Sequence, residues 1–234
     1  NGTYGPHKRL EAELAAHFGM REAIVFTTGY QANLAVIAGL AGPGDQVFID
    51  ADCHASIYDA CKLSGAEIIR FAHNDPASLD RRLGRTDPEV TNKLVVVEGL
   101  YSMFGDVAPL KEFVEVKRKH NAYLVVDEAH SFGVFGENGL GVAEADGVLD
   151  GCDILVGTFS KSLAGIGGFA VSNLPQFDLL RVAARAYMFT ASSSAASIEA
   201  TRAAGRCARG APGASRARRS FAAASPPRSG IAPR

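Results

Sequence analysis

The chain has 234 residues, of which 47% are hydrophobic and 21% are charged, with a formal net charge of −1. This length suits one large domain or two small ones, and the composition is that of an ordinary globular protein. The balanced charge gives no indication that nucleic acid or an anionic membrane is a partner. No run of about 18 apolar residues is present, so we expect no transmembrane segment. No basic stretch followed by an apolar run marks a secretory leader.

The chain begins at Asn1, without Met, and we expect that an N-terminal arm is missing. The four cysteines, Cys53, Cys61, Cys152 and Cys207, form no CxxC pair. Their spacing suits neither a zinc site nor a disulfide framework. We therefore expect reduced thiols, a cytoplasmic location and no metal site.

The C-terminal segment 201–234 differs in composition from the rest of the chain. It contains eight Arg and no Lys, Asp or Glu, which leaves 16 basic and 25 acidic residues in 1–200, a net charge of −9. Of its 34 residues, 30 are Ala, Arg, Gly, Pro or Ser. Such a segment cannot bury enough surface to offset its ordering entropy, so we expect disorder from residue 201. A shifted reading frame explains this composition best, and a linker or a nucleic-acid-binding arm is the alternative.

Apolar runs predict that strands and helices alternate along residues 10–175. The predicted strands are 22–27, 46–50, 67–71, 93–98, 122–127, 154–158 and 168–172. The predicted helices are 10–18, 32–40, 55–64, 76–83 and 109–120. Most of the strands are continuously apolar, which is typical of strands buried on both faces. We therefore expect an α/β domain over 1–200, with a mostly parallel sheet of about seven strands and helices on both faces.

Polar clusters follow five of the predicted strands. In open α/β sheets, ligands bind at the carboxyl ends of the strands, so these clusters are expected to form one site. The clusters are Gly29-Tyr30, Asp52-Cys53-His54, Glu98, Asp127-Glu128-Ala129-His130 and Thr158-Phe159-Ser160-Lys161.

Lys161 is flanked by hydroxyl side chains and is followed by the glycine-rich run 165–168. Hydroxyl and backbone N–H groups are good phosphate ligands, and glycines allow a cofactor to approach the backbone closely. A lysine amine can form a Schiff base with a carbonyl cofactor. No G-x-G-x-x-G or Walker pattern is present, which argues against a Rossmann or P-loop nucleotide binder.

Asp127 directly follows the apolar run 124–126, where little water is expected. A carboxylate in such a place needs a positive partner or becomes neutral. The protonated pyridine nitrogen of pyridoxal 5′-phosphate (PLP) is such a partner, and this ion pair makes the ring a better electron sink. An Asp-Glu pair that binds Mg²⁺ is the alternative, but it lacks the P-loop that would accompany it. His130 could bond the ring hydroxyl, and His54 could stack on the ring.

The segments DADCHASIYDACKLSGAEIIRF, VVVEGLYSMFGDVAPL, VVDEAHSFGVFGENG and VGTFSKSLAGIGGF resemble the α-oxoamine synthases. These fold-type I PLP enzymes, which are class II aminotransferase-like, condense an amino acid with an acyl-CoA and release CO₂ and CoA. The resemblance covers 1–200 and implies the large catalytic domain of that fold, with PLP as cofactor. The motifs HASIYD, EGLYSMFGD and GTFSKS are most similar to those of bacterial members that use L-serine and palmitoyl-CoA to make a 3-keto sphingoid base. Members that make 8-amino-7-oxononanoate, 2-amino-3-ketobutyrate or 5-aminolevulinate share most motifs and remain alternatives.

The resemblance also implies roles for individual residues. Lys161 would hold PLP as a Schiff base and move the substrate α-proton, and Asp127 would pair with the pyridine nitrogen. His130 would bond the ring hydroxyl, and His54 would stack on the ring. The residues expected around the phosphate and the ring edge are Gly29, Tyr30, Glu98, Ser102, Thr158 and Ser160.

The resemblance further implies a homodimer. Thr190 and Ala191 resemble a segment that reaches the phosphate of the partner subunit, so the active site would be shared, and His7 lies in a segment expected on the substrate side. The chain departs from the family where 193–196 replaces a Pro-Pro pair, and nothing matches beyond residue 200. The small C-terminal domain, with its carboxylate-binding arginine, is expected to be absent. An inactive fragment that only folds or dimerises is therefore an alternative.

Overall fold

The computed structural model describes residues 3–90 and 92–210, with side chains through Cys207. Within these residues, seven strands form one sheet. The strands are β1 Glu22–Phe26, β2 Gln46–Asp50, β3 Glu67–Phe71, β4 Lys93–Glu98, β5 Tyr123–Asp127, β6 Ile154–Thr158 and β7 Gly168–Ser172. The helices are α1 Gly5–Phe18, α2 Gly29–Leu40, α3 Ala55–Ser64, α4 Pro76–Leu83, α5 Leu110–Lys119, α6 Val142–Ala145, α7 Leu180–Ala183, α8 Arg185–Met188 and α9 Ala195–Gly210.

The strand order is β1-β7-β6-β5-β4-β2-β3, and β2 to β6 are parallel to their neighbours within that group. Strand β7 runs antiparallel to both β6 and β1. Six of the seven strands therefore point the same way, and their carboxyl ends form one edge of the sheet. Glu98 is in register with Asp127 at this edge, and Thr158 is in register with Gly168.

The centre of the sheet is covered on both faces. Strands β2, β6 and β7 are buried at every position, whereas four of the five residues of the edge strand β3 are partly or fully exposed. Helix α2 packs across β1, β6 and β7, and α1 packs on β1 and β7. Phe169 of β7 lies 5.0 Å from Phe132 and 5.5 Å from Phe159, between ring centroids. Phe159 also lies against the glycine-rich run 165–168, where a Cβ on Gly167 would be 2.7 Å from its ring.

The predicted mostly parallel α/β sheet is confirmed, and five of the seven strands have the predicted bounds. Helices begin earlier than predicted where the sequence supplies a start signal. Helix α1 begins at Gly5 because Pro6 occupies the first turn, where its missing N–H costs no hydrogen bond. Helix α2 begins at Gly29 because the Thr28 side chain accepts a hydrogen bond from the Gln31 N–H at 3.0 Å.

The structure differs from the expected disorder over residues 201–210, which continue helix α9. Alanine and arginine favour helix, and contacts with another part of the chain stabilise this one. Arg202 donates hydrogen bonds to Glu13 of α1 at 2.5 Å and to Glu199 at 2.6 Å, and Thr201 is buried. The rest of that expectation, for 211–234, lies outside the described residues. None of the helices described is long and apolar enough to cross a bilayer.

Gly168 opens β7 where it passes against the start of α2, and its substitution tests that close approach. A Cβ at this position would lie 2.6 Å from the backbone of Gly29 and Thr28. Gly168→Ala is therefore expected to lower the free energy of unfolding by about 1–3 kcal/mol, measured with denaturant. Gly42→Ala is the control, because a Cβ there meets nothing within 4 Å. Equal stability of the two variants would contradict the close approach.

Candidate active site

A cavity of ≈ 300 Å³ opens at the carboxyl ends of β1, β5 and β6. This volume is at the lower end of the range for small-molecule sites. The cavity lies at the edge of the sheet where the polar clusters were expected. The residues that line it are Thr28, Gly29, Tyr30, Asn33, His54, Ser56, Asp127, Ala129, His130, Thr158, Ser160, Lys161, Ile166 and Gly167.

One end of the cavity is built to hold an anion. The N–H groups of Gly29 and Tyr30 open helix α2, where the first amides lack intrahelical partners and the helix dipole is positive. The Thr158 and Ser160 hydroxyl oxygens lie beside them, 2.9 Å apart. A Cβ on Gly29 would lie 3.0 Å from the Thr158 Cβ, so glycine keeps the helix start close to β6. The donor groups of this end fit a phosphate.

The other end of the cavity presents the Asp127 carboxylate, which is 5% exposed. One carboxylate oxygen accepts a hydrogen bond from Asn33 Nδ2 at 2.7 Å, and the other accepts one from the Ala129 N–H at 2.9 Å. Both bonds come from neutral donors, so the buried negative charge is oriented without being neutralised. The protonated pyridine nitrogen of PLP would supply the missing positive charge.

The sequence did not single out Asn33 or Ser56 as site residues. Asn33 is buried within α2 and donates to the Ser56 hydroxyl at 3.0 Å as well as to Asp127. The Ser56 hydroxyl lies 2.8 Å from His54 Nδ1, so one network joins Asp127 to the His54 ring. The available signal was a side-chain amide that is followed by the apolar residues of α2, which resembles an ordinary packing position.

Glu98 lies beneath the cavity and is absent from its lining. Its Oε1 accepts a hydrogen bond from the His54 N–H at 2.5 Å, and its Oε2 lies 3.7 Å from His130 Nδ1. Burial raises the pKa of the Glu98 carboxyl, Asp127 adds to the increase, and the contact with His130 opposes it. Glu98 therefore helps to position both histidines, through the His54 backbone and the His130 ring.

The Lys161 side chain enters the cavity from the segment after β6. Partial burial lowers the pKa of the Lys161 amine, while the negative charges of Asp127 and Glu98 oppose that shift. The amine is thus neutral over a wider pH range than a solvated lysine, which suits a nucleophile or a base.

Glu128, next to Asp127, is directed away from the cavity. It accepts hydrogen bonds from the Ser131 hydroxyl and from the N–H groups of Val142 at 3.0 Å and Ala143 at 2.8 Å. Burial raises the pKa of Glu128 to about 7. Only Asp127 of the pair faces the cavity, which disfavours the alternative of an Asp-Glu site for Mg²⁺.

Four other residues singled out in the sequence lie apart from this cavity. Ser102 is exposed on the loop after β4. Thr190 and Ala191 line a separate cavity of ≈ 20 Å³ together with His7, beside β1. The His7 side chain is buried, and neither ring nitrogen has a hydrogen-bond partner among the described residues. Contact of Thr190 and Ala191 with a partner subunit remains a prediction.

The aminotransferase class I and II family matches residues 2–219, and the chain belongs to this family. Serine palmitoyltransferase of Caulobacter vibrioides is 58% identical over 192 residues, which are 82% of this chain and 48% of that protein. The 8-amino-7-oxononanoate synthase of Saccharophagus degradans is 44% identical over 204 residues, 87% of this chain and 51% of that protein. The chain spans about half the length of the curated relatives it matches.

The fold is also that of solved serine palmitoyltransferases. The Sphingomonas paucimobilis enzyme with a bound PLP–myriocin aldimine superposes with a TM-score of 0.87 at 52% identity, covering 90% of this chain and 53% of that one. A serine palmitoyltransferase with a PLP internal aldimine gives the same TM-score, identity and coverage. The expected fold of the large domain of PLP-dependent transferases is thus confirmed.

The lowered pKa of Lys161 can be measured by trace acetylation over a pH series, with peptides quantified by mass spectrometry. Lys161 is expected to reach half-maximal reactivity below the ~10.4 of a solvated lysine. Asp127→Asn should lower this midpoint further, because it removes a charge that stabilises the ammonium. The solvent-exposed Lys62 serves as the reference for reagent and pH effects. An unchanged midpoint in Asp127→Asn would show that the two groups do not interact.

Proposed function

We propose that this chain forms the PLP-binding large domain of an α-oxoamine synthase, with the cofactor held through Lys161. The observation that carries the proposal is one cavity with an anion cradle at Gly29, Thr158 and Ser160 and a buried carboxylate, Asp127, on another wall. These donors suit the phosphate and the pyridine nitrogen of PLP respectively. The similar solved serine palmitoyltransferases contain PLP.

The proposed reaction begins with removal of the amino-acid α-proton, and bound PLP supplies the electron sink for it. Lys161 Nζ takes this proton, which its lowered pKa favours because the amine is more often neutral. Asp127 keeps the ring nitrogen protonated, and Asn33 and the Ala129 N–H hold that carboxylate in place. His54 orients the ring from within the same network.

For the whole protein, we propose that L-serine and palmitoyl-CoA are the substrates and a 3-keto sphingoid base the product, with release of CO₂ and CoA. The identity to the serine palmitoyltransferases of Caulobacter vibrioides and Sphingomonas paucimobilis, 58% and 56%, is higher than that to an 8-amino-7-oxononanoate synthase, 44%, and supports this choice. The activity of that synthase is the second candidate. A unit that only folds or dimerises is a weaker one, because the residues proposed to bind PLP converge on one cavity.

The same proposal extends to assembly and location. A homodimer would give Thr190 and Ala191, which lie outside the Lys161 cavity, a role at the partner's phosphate. We propose a cytoplasmic location, which the four free thiols support, since three of them are buried and none is in a disulfide.

Covalent attachment of PLP at Lys161 is tested on the purified chain. Adding PLP should produce a visible absorption band, and borohydride reduction should leave the label on the peptide that contains Lys161. Lys161→Ala is expected to lose the label, whereas Lys62→Ala, at a solvent-exposed position, should keep it. A label on any other lysine would refute the assignment.

Asp127→Asn is expected to impair proton removal far more than PLP retention. The neutral amide cannot hold the ring nitrogen protonated, and a loss of ~1.4 kcal/mol in transition-state stabilisation slows the step tenfold. The anion cradle does not include Asp127, so PLP should still bind. The measurement is exchange of the L-serine α-proton with deuterium, by NMR, in the protein extended to the length of its relatives. Exchange as fast as in the parent would exclude Asp127 as the partner of the ring nitrogen.

A further inference from the structure

His73 lies outside the cavity, between two carboxylates at the carboxyl-terminal edge of the sheet. Its Nδ1 is 2.8 Å from Asp50 Oδ1, and its Nε2 is 2.7 Å from Asp106 Oδ2. Asp50 ends β2 and is fully buried, and the His73 side chain is 16% exposed. Because a carboxylate only accepts hydrogen bonds, both ring nitrogens must donate, so His73 is an imidazolium. Such a ring has no lone pair left for a metal ion.

The charged and titratable groups that face His73 are Asp50, Asp106, Asp52 at 3.6 Å and the ring of Tyr101. Burial alone would lower the pKa of His73, but the hydrogen bonds and charges of Asp50 and Asp106 outweigh it and raise the pKa to about 9. Burial, with Asp50 and other nearby groups adding to it, raises the pKa of Tyr101, which stays a neutral phenol. His73 is thus the cation among three carboxylates. Because the pKa of His73 is raised in the folded protein, its contribution to stability is complete below the ~6.5 of an ordinary histidine and is lost as the pH rises through about 9.

Asp106 belongs to the loop 99–108, here called the clasp loop, which also carries Ser102. The loop is closed on itself by hydrogen bonds from the Tyr101 N–H to the Asp106 carbonyl and from the Ala108 N–H to the Gly99 carbonyl, both 3.0 Å. Its tip, 102–105, is exposed. Asp106 therefore connects the clasp loop to β2 and β3 through His73 and through Asn74, whose Nδ2 donates to Asp106 Oδ2 at 2.7 Å and whose N–H donates to Asp50 at 2.8 Å.

A second contact runs from His73 toward the cavity. The Tyr101 ring meets the His73 ring edge-on, with centroids 4.5 Å apart, and its hydroxyl accepts a hydrogen bond from the Glu98 N–H at 3.4 Å. Glu98 in turn contacts His54 and His130, as described above. A chain of contacts thus runs from His73 through Tyr101 to Glu98, and Glu98 contacts both histidines of the cavity.

We propose that the His73 imidazolium is a positioning residue that fastens the clasp loop to the sheet and, through Tyr101, fixes Glu98 behind the cavity histidines. Its effect on PLP rests on the proposed function, whereas the fastening of the loop does not. Loss of the imidazolium would free the clasp loop, and with it Ser102, and would loosen the cavity wall formed by His54 and His130.

Hydrogen–deuterium exchange of the chain without cofactor tests the fastening. In His73→Gln the neutral amide can reach only one carboxylate, so clasp-loop amides should exchange roughly tenfold faster, as expected when a hydrogen bond to a charged group is lost. Asp106→Asn, whose side chain is 30% exposed, should have at least the same effect with less risk to folding, because Asp106 Oδ2 also accepts a hydrogen bond from Asn74 Nδ2 at 2.7 Å. The double variant should be no looser than Asp106→Asn alone, because that change already removes the contact with His73.

His120→Gln is the matched control. His120 Nε2 also contacts a carboxylate, Asp80 Oδ1 at 2.6 Å, but it lies just before β5, at the opposite edge of the sheet. This variant should leave clasp-loop exchange unchanged. If neither His73→Gln nor Asp106→Asn changes the exchange of the loop, the proposal is overturned.

The pH dependence separates a charged contact from simple packing. After correction for intrinsic exchange, protection of the clasp loop in the parent should disappear with a midpoint near pH 9, the pKa of His73. His73→Gln should show no such midpoint, and the NMR signal of the His73 ring should titrate at the same pH as the loop. Titration near the usual ~6.5 of histidine would overturn the proposal.

The affinity for PLP tests the effect on the cavity. The dissociation constant should rise roughly tenfold in His73→Gln and in Asp106→Asn, as it does when supporting residues of other sites are removed, and should stay unchanged in His120→Gln. A loosened loop with unchanged PLP affinity would overturn the positioning role. If the parent takes up no PLP at Lys161, the proposed function fails, and the fastening of the loop is decided by exchange and titration alone.

Discussion

The buried carboxylate of Asp127 is the constraint on which the rest of this site depends. A charge that is 5% exposed costs several kcal/mol unless hydrogen bonds and a countercharge offset it. Two neutral donors, Asn33 and the Ala129 N–H, fix the carboxylate but leave its charge in place. Burial disfavours the charged form of the nearby Lys161 amine and lowers its pKa, while Asp127 and Glu98 oppose that shift. The cavity is therefore matched to a ligand that brings its own positive charge.

Helix α2 sets the distance between the two ends of the cavity. Its first residue, Gly29, presents an N–H at the anion cradle, and Asn33, four residues later, holds Asp127. Residues four apart lie on one face of a helix, about 6 Å apart along the axis. The helix start is itself fixed by the close backbone approach of Gly168. One rigid element thus presents an N–H at the anion cradle and orients the carboxylate, and the sheet supplies Thr158 and Asp127 from neighbouring strands.

The strands and their polar ends could be predicted because each leaves a local signal, an apolar run followed by a polar cluster such as 127–130. Asn33 could not be predicted in this way, since its role depends on Asp127, which is 94 positions away. The helix over 201–210 was missed for a similar reason: Arg202 pairs with Glu13, and composition does not show such a contact. The function expected of Thr190 and Ala191 requires a second subunit, which a single chain does not contain.

The charges of the cavity also explain why phosphate and carboxylates are kept apart. Burial raises the pKa of Glu98, beneath the cavity, and lowers that of Lys161, inside it, so both shifts favour the neutral forms. A dianionic phosphate next to Asp127 would reverse this tendency, because like charges in a medium of low dielectric repel strongly. At the positive end of α2 a phosphate would meet amides and hydroxyls instead of carboxylates. Asp127, at the other end of the cavity, would then be left to a positively charged group of the same ligand.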